Sequence, residues 1–142
     1  MSASSVDFAL LRVMIVDDNR HMRTLVCSIL RALKIKNIKE VGDGGGALTE
    51  INAFEPDIVI TDWQMEPMDG MTLVKTIRYS SEPMIRHVPI IMLTGHADAK
   101  RVQQARDSGI HEFLAKPVSA KSLLARLLNV MWNPQPFMRT DQ

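Results

Sequence analysis

The chain is punctuated by short runs of apolar residues, each cut off by a polar residue and followed by a stretch whose apolar residues return every three or four positions. The first run is Val13-Met14-Ile15-Val16, which stops at Asp17-Asp18. A continuous run of this length is what a strand buried on both faces requires, whereas a strand with one wet face alternates. After it, Met22, Leu25, Val26, Ile29, Leu30 and Leu33 follow the spacing of one helical face, and Asn19 is placed to cap that helix. The alternation then repeats. Ile38 to Val41 is a weaker second strand, Gly42-Asp43-Gly44-Gly45-Gly46 is expected to turn the chain, and Ala47, Leu48, Ile51 and Phe54 form a second helical stripe that Pro56 ends. Asp57 to Thr61 reads as the third strand, Leu73, Val74 and Ile77 support a helix after Gly70, and Ile90 to Leu93 is a fourth run after Pro89. Over 97–107 the stripe is poor, carried by Val102 and Ala105, so this helix is expected to be loosely anchored. Phe113-Leu114-Ala115 completes the sheet. Ser119 then caps an apolar helix carrying Leu123, Leu124, Leu127, Leu128 and Met131, which ends near Asn133-Pro134.

Strand and helix units in this order, within about 120 residues, imply one open parallel sheet with helices on both faces, because parallel neighbours need crossover connections. At 142 residues the chain is long enough to bury a core without disulfides or a structural metal. A composition 46% hydrophobic and 23% charged excludes disorder and fibrous repeats. With 17 Lys+Arg against 16 Asp+Glu, no general attraction to nucleic acid or to an anionic membrane is expected. The single cysteine, Cys27, cannot form an internal disulfide and suits a reducing compartment. The apolar stretch Phe8 to Val16 is broken by Arg12 and ends in two acids, so neither a signal peptide nor membrane insertion is expected, and the expected location is cytoplasmic. Residues 1–10 and 133–142 read as extensions around one domain at 11–132.

In open parallel sheets, ligands bind outside the carboxyl ends of the strands. There the chain supplies Asp17 and Asp18 after strand one, Asp62 after strand three, Thr94 after strand four and Lys116 after strand five. Each is ordinary alone, since acids are common at strand-to-helix turns. Their convergence at one edge is what carries information. Two carboxylates at about 4 Å repel by on the order of 4 kcal/mol at an effective dielectric near 20, so a cation is needed between them. All-oxygen ligands with no histidine or thiolate nearby favour a hard ion, and few protein ligands with room for water suit Mg²⁺. A divalent cation, an ammonium and a hydroxyl together receive a phosphoryl group, and an aspartate beside them can be its nucleophile.

Met14-Ile15-Val16-Asp17-Asp18, Ile60-Thr61-Asp62-Trp63-Gln64-Met65, Met68-Asp69-Gly70, Pro89 to Gly95 and Phe113-Leu114-Ala115-Lys116-Pro117 together resemble the receiver domain of bacterial two-component response regulators, closest to the single-domain chemotaxis type, over roughly residues 11–132. The resemblance implies a flavodoxin-like fold with five parallel strands in the order 2-1-3-4-5. It implies that Asp62 accepts a phosphoryl group from a histidine kinase or a histidine phosphotransfer protein, with Mg²⁺ held by Asp18, by Asp17 mainly through water, by Asp62 and by the backbone carbonyl of Gln64. Lys116 would bind the phosphoryl group and Thr94 would move to hydrogen-bond it. Phe113 stands at an aromatic switch position, where the absence of a phenolic hydroxyl leaves ring burial as the readout. Gly95 leaves space beside the phosphate, and Gln64 and His96 stand where relatives tune phosphoryl lifetime. One departure is visible: Met65-Glu66-Pro67-Met68-Asp69-Gly70 carries its proline one place later than relatives do, which bears on the loop path and on partner contacts.

Other features have plainer readings. The ten methionines, Met65, Met68 and Met71 among them, are gap-filling core and loop residues, and Cys27 is a small packed residue. Gly44-Gly45-Gly46 lacks the Lys-Ser/Thr of a nucleotide-binding P-loop, and His21, His87, His96 and His111 show no metal-ligand spacing. Three functions compete. The first is a phosphorylation-controlled switch acting through protein contacts on a downstream protein, with slow self-dephosphorylation and no DNA-binding module. The second is a Mg²⁺-dependent phosphohydrolase, which would need a second aspartate where Gln64 stands. The third is a scaffold that is never phosphorylated. The expected reading is the switch, catalysing only its own phosphorylation and dephosphorylation.

Overall fold

Five strands, β1 (Arg12–Val16), β2 (Asn37–Val41), β3 (Ile58–Asp62), β4 (Ile90–Thr94) and β5 (Glu112–Ala115), form one parallel sheet in the order β2-β1-β3-β4-β5. The structure is a computed structural model that describes residues 8–95 and 99–132. Six helices connect and cover the strands: α1 (Arg20–Ala32), α2 (Gly44–Phe54), α3 (Gly70–Arg78), the short α4 (Pro83–Arg86), α5 (Ala99–Asp107) and α6 (Ala120–Trp132). The three central strands are buried on both faces, which is why they read as unbroken apolar runs.

Alternation along each strand splits the interior into two cores. Val13, Ile15, Ile58, Ile60, Ile91, Leu93 and Leu114 pack against α1 and α6. Met14, Val16, Val59, Ile90 and Met92 face the other way, against α2, α3, α4 and α5. Cys27, Met65 and Met71 fill core positions as expected. On α1, Leu25 departs from the expected stripe and is 41% exposed, because Cys27 takes the place beside Val26 and Leu30 at the sheet. The short helix α4 has no stripe of its own and was not legible. It starts with Pro83 in its first turn and buries a single residue, Ile85. Before β1, a 3-10 turn at Phe8–Leu10 sets Phe8 against the α1/α6 core.

Three helices begin beside the carboxyl edge of the sheet, each under a side-chain cap. Asn19 accepts from Met22 N, Asp43 from Gly46 N and Asp69 from Thr72 N. The second cap corrects the reading of 42–46 as a turn, since α2 starts at Gly44 and the glycines form its first turn. Three helical glycines cost about 2–3 kcal/mol relative to alanine, more than the roughly 1 kcal/mol that a cap contributes. Packing supplies the remainder: Ala47 and Ile51 are buried, and Gly44 lies against Met68, whose Sδ would stand 2.6 Å from a Cβ placed there.

At the opposite end of the sheet, Arg78 is almost wholly buried. Its guanidinium donates to Gly109 O from Nε at 3.1 Å and Nη2 at 2.6 Å, and from Nη1 to Arg86 O and Val88 O, both at 2.8 Å. His111 Nδ1 lies 3.3 Å from both Arg78 Nη2 and Ile90 N. Both neighbours are donors, so this nitrogen is the acceptor. One side chain from the end of α3 thus ties together the approaches to β4 and β5.

Candidate functional site

The carboxyl edge is built where β1, β3 and β4 end. Asp17 continues the line of β1, its amide donating to Val41 O at 3.2 Å, and its side chain is fully buried. Asp17 Oδ1 accepts from Asn19 N at 2.9 Å, and Oδ2 has no hydrogen-bond partner among the described residues. Burial is the main reason that the Asp17 carboxyl is pushed up to about 6, with the Asp62 and Asp18 carboxylates adding to it and the Asn19 amide and Lys116 opposing. Asp18, beside it, is exposed and accepts from Glu66 N at 3.2 Å.

Asp62 is the last residue of β3 and is buried; Lys116, just past β5, places Nζ 2.9 Å from Asp62 Oδ1. Carboxylate oxygens of Asp17, Asp18 and Asp62 all lie within 4.8 Å of one another. The loop after β3 folds back on the strand end: Gly70 N donates to Trp63 O at 2.8 Å, and a Cβ on Gly70 would collide with Asp62 O. Only glycine permits that approach, which brings the Glu66 amide to Asp18. Within the loop the Glu66–Pro67 peptide bond is cis, as is Lys116–Pro117 beyond β5.

Thr94 closes β4 and is buried, and its carbonyl accepts from Lys116 N at 2.9 Å. Because Met92 pairs with Phe113, the period of two puts Thr94 on the same sheet face as Phe113. Phe113 is half-buried against the α2–α5 core, its ring centroid 6.0 Å from that of Trp63. Gln64 is exposed at the start of the β3–α3 loop. A Cβ on Gly95 would meet no heavy atom within 4 Å among the described residues, so space is open there. His96 lies outside the described residues.

The edge therefore brings together Asp17, Asp18, Asp62 and Lys116, with Thr94 on the adjoining strand. The orphaned, buried Asp17 Oδ2 and the raised pKa are what a hard cation would relieve, so the donor set fits Mg²⁺. Three contributors escaped the sequence. The Glu66 amide acts through its backbone and leaves no signature; Trp63 could have been suspected as an aromatic next to Asp62; Arg23 donates to Asp17 O from one turn into α1.

Comparison with known proteins shows the family and the fold. The response regulator receiver domain family matches residues 13–128. Chemotaxis protein CheY-3 of Vibrio cholerae serotype O1 is 35% identical over 117 residues, covering 82% of this chain and 88% of that protein. Chemotaxis protein CheY of Pseudomonas aeruginosa is 30% identical over 117 residues, covering 82% and 93%. Among solved structures, the chemotaxis response regulator CheY4 of Vibrio cholerae superimposes with a TM-score of 0.77 at 28% identity, over 84% of this chain and 98% of that one. A response regulator from Desulfuromonas acetoxidans gives 0.76 at 30% identity, over 88% and 99%.

Proposed function

The chain belongs to the response regulator receiver domain family and is CheY-like, and from that premise we propose that it is a phosphorylation-controlled switch whose acceptor is Asp62. The observation that carries the reading is the buried Asp62 carboxylate paired with Lys116 and drawn within 4.8 Å of Asp17 and Asp18. A histidine kinase or histidine phosphotransfer protein presents a phosphohistidine. An Asp62 carboxylate oxygen attacks phosphorus, the P–N bond breaks, and its electron pair stays on the imidazole nitrogen, which takes a proton.

Asp18, Asp62 and the Gln64 carbonyl, with Asp17 mainly through water, would hold Mg²⁺, which when bound would neutralise charge on the phosphoryl oxygens. Lys116 neutralises the remaining charge, and its ammonium stands at the acceptor before the group arrives. The Thr94 hydroxyl moves to hydrogen-bond the phosphoryl oxygens. Phe113, on the same face, follows by changing its burial against Trp63, and this alters a surface read by a downstream protein. Gln64 and His96 stand at the sequence positions where relatives tune the lifetime of the acyl phosphate, which the protein hydrolyses slowly on its own. The exchange with a kinase places this chemistry in the cytoplasm. Gln64 offers no acid for an external leaving group, which weighs against a phosphohydrolase.

Intact-protein mass after incubation with an acyl phosphate and Mg²⁺ tests the reading. One phosphoryl adduct is expected, absent from Asp62→Asn and without Mg²⁺. No adduct under conditions that label a known receiver, or an adduct that survives in Asp62→Asn, overturns it.

A further inference from the structure

We propose that Arg23 is a positioning residue for the cation site, fastening the Asp17 main chain so that its carboxylate stays within the cluster of the three acids. The inference rests on the Mg²⁺ reading above and concerns a residue outside the ligand set. Arg23 Nη1 donates to Asp17 O at 2.6 Å. Its Nε lies 3.4 Å from Glu40 Oε1 on β2, and its side chain is 20% exposed against 41% for Glu40. The guanidinium therefore bridges the end of β1 and the end of β2 from its place in α1, close enough to Gly42 that a Cβ there would lie 3.6 Å from Nη1.

Both main-chain polar atoms of Asp17 are thereby occupied: its amide by Val41 O at 3.2 Å and its carbonyl by Arg23. Oδ1 is occupied by the Asn19 amide. Within Asp17, Oδ2 is the oxygen that no hydrogen bond among the described residues engages. Partners that orient a metal ligand without touching the metal typically govern about 10–100-fold of affinity. A planar fork can serve the carbonyl and Glu40 at once, whereas an ammonium is a point donor.

Charge and position predict opposite signs. Arg23 is a cation near three carboxylates, so if it acted by charge alone its removal would tighten Mg²⁺ binding. If it acts by position, removal weakens it. Mg²⁺ titration of Trp63 fluorescence in a W132F background, with metal-free melting temperature measured in parallel, separates the two. For R23M the expected Kd rises by about tenfold or more, and R23K recovers part of the loss. An unchanged or tighter Kd in R23M overturns the proposal, even where its melting temperature falls. Should R23M not fold, R23K decides: a weakened Kd supports the role and an unchanged one overturns it. Failure of the unmodified protein to bind Mg²⁺ instead overturns the phosphoacceptor reading, and Arg23's role with it.

Discussion

Lys116 Nζ stands 2.9 Å from Asp62 Oδ1, so the Asp62 carboxylate is already paired with an ammonium before any cation arrives. Lys116 is 27% exposed and Asp62 6%, which leaves the lysine end of the pair partly screened. The ammonium holds the acid cluster together and also competes with an incoming cation for the same oxygens.

Lys116→Met is accordingly expected to lower the metal-free melting temperature while tightening Mg²⁺ binding about fivefold, on the order of 1 kcal/mol. The sign is opposite to that expected for R23M, so one fluorescence titration on both variants compares a competing charge with a positioning one. Weaker Mg²⁺ binding in Lys116→Met would contradict the competition.

Asp17 makes the metal-free protein sensitive to pH in a defined direction. Its carboxyl is raised from 3.8 to about 6 in the folded chain. Between those values the folded state keeps a proton that the unfolded chain has released, so this group's contribution falls as pH rises from about 4 to about 6 and is level above. The full loss is on the order of 3 kcal/mol. Urea unfolding of the unmodified protein and Asp17→Asn across that range should give a stability difference that grows with pH. Saturating Mg²⁺ should flatten it. A difference independent of pH would show that burial does not hold the proton.

Arg78 is expected to bear on stability and not on cation binding. Burial pushes its guanidinium down to about 10, so it stays charged at neutral pH and depends on the carbonyls of Arg86, Val88 and Gly109. Arg78→Met leaves these acceptors without their donor and is expected to cost about 3 kcal/mol or more in urea unfolding. Because it lies at the far end of the sheet, the Mg²⁺ affinity of the folded variant should be unchanged. A shifted Kd would mean that the two ends of the sheet are coupled through their strands.

The arrangement of Asp17, Asp18, Asp62 and Thr94 is legible in the sequence because they end strands buried on both faces, which announce themselves as apolar runs, and Lys116 because it follows the shorter apolar run of the half-buried β5. Asn19 and Ser119 are legible as caps for a similar reason: the donor a cap satisfies lies two or three residues away. What escapes are long side chains that reach backbone groups. Arg78 to Gly109 O spans 31 residues and Arg23 to Asp17 O joins a helix to a strand end, and nothing in the local pattern distinguishes these arginines from solvated ones. Leu25 errs in the other direction, matching a helical stripe wider than the contact its helix makes. The start of α2 was hidden because glycine signals a turn wherever it clusters, whereas here Met68 occupies the space a side chain at Gly44 would need.

Arg78 grips α5 at one end only. Its two bonds to Gly109 O fix the point just past Asp107, while the other end of the helix begins at Ala99. A rod fastened at one tip pivots there, and its displacement grows with distance from the pivot. Nine residues of helix span about 13 Å, so a swing of about 10° moves the Ala99 tip by about 2 Å and leaves the fastened tip in place. The buried arginine thereby decides which end of α5 is held: a tilt of the helix displaces its first turn and leaves the turn at Gly109 in place.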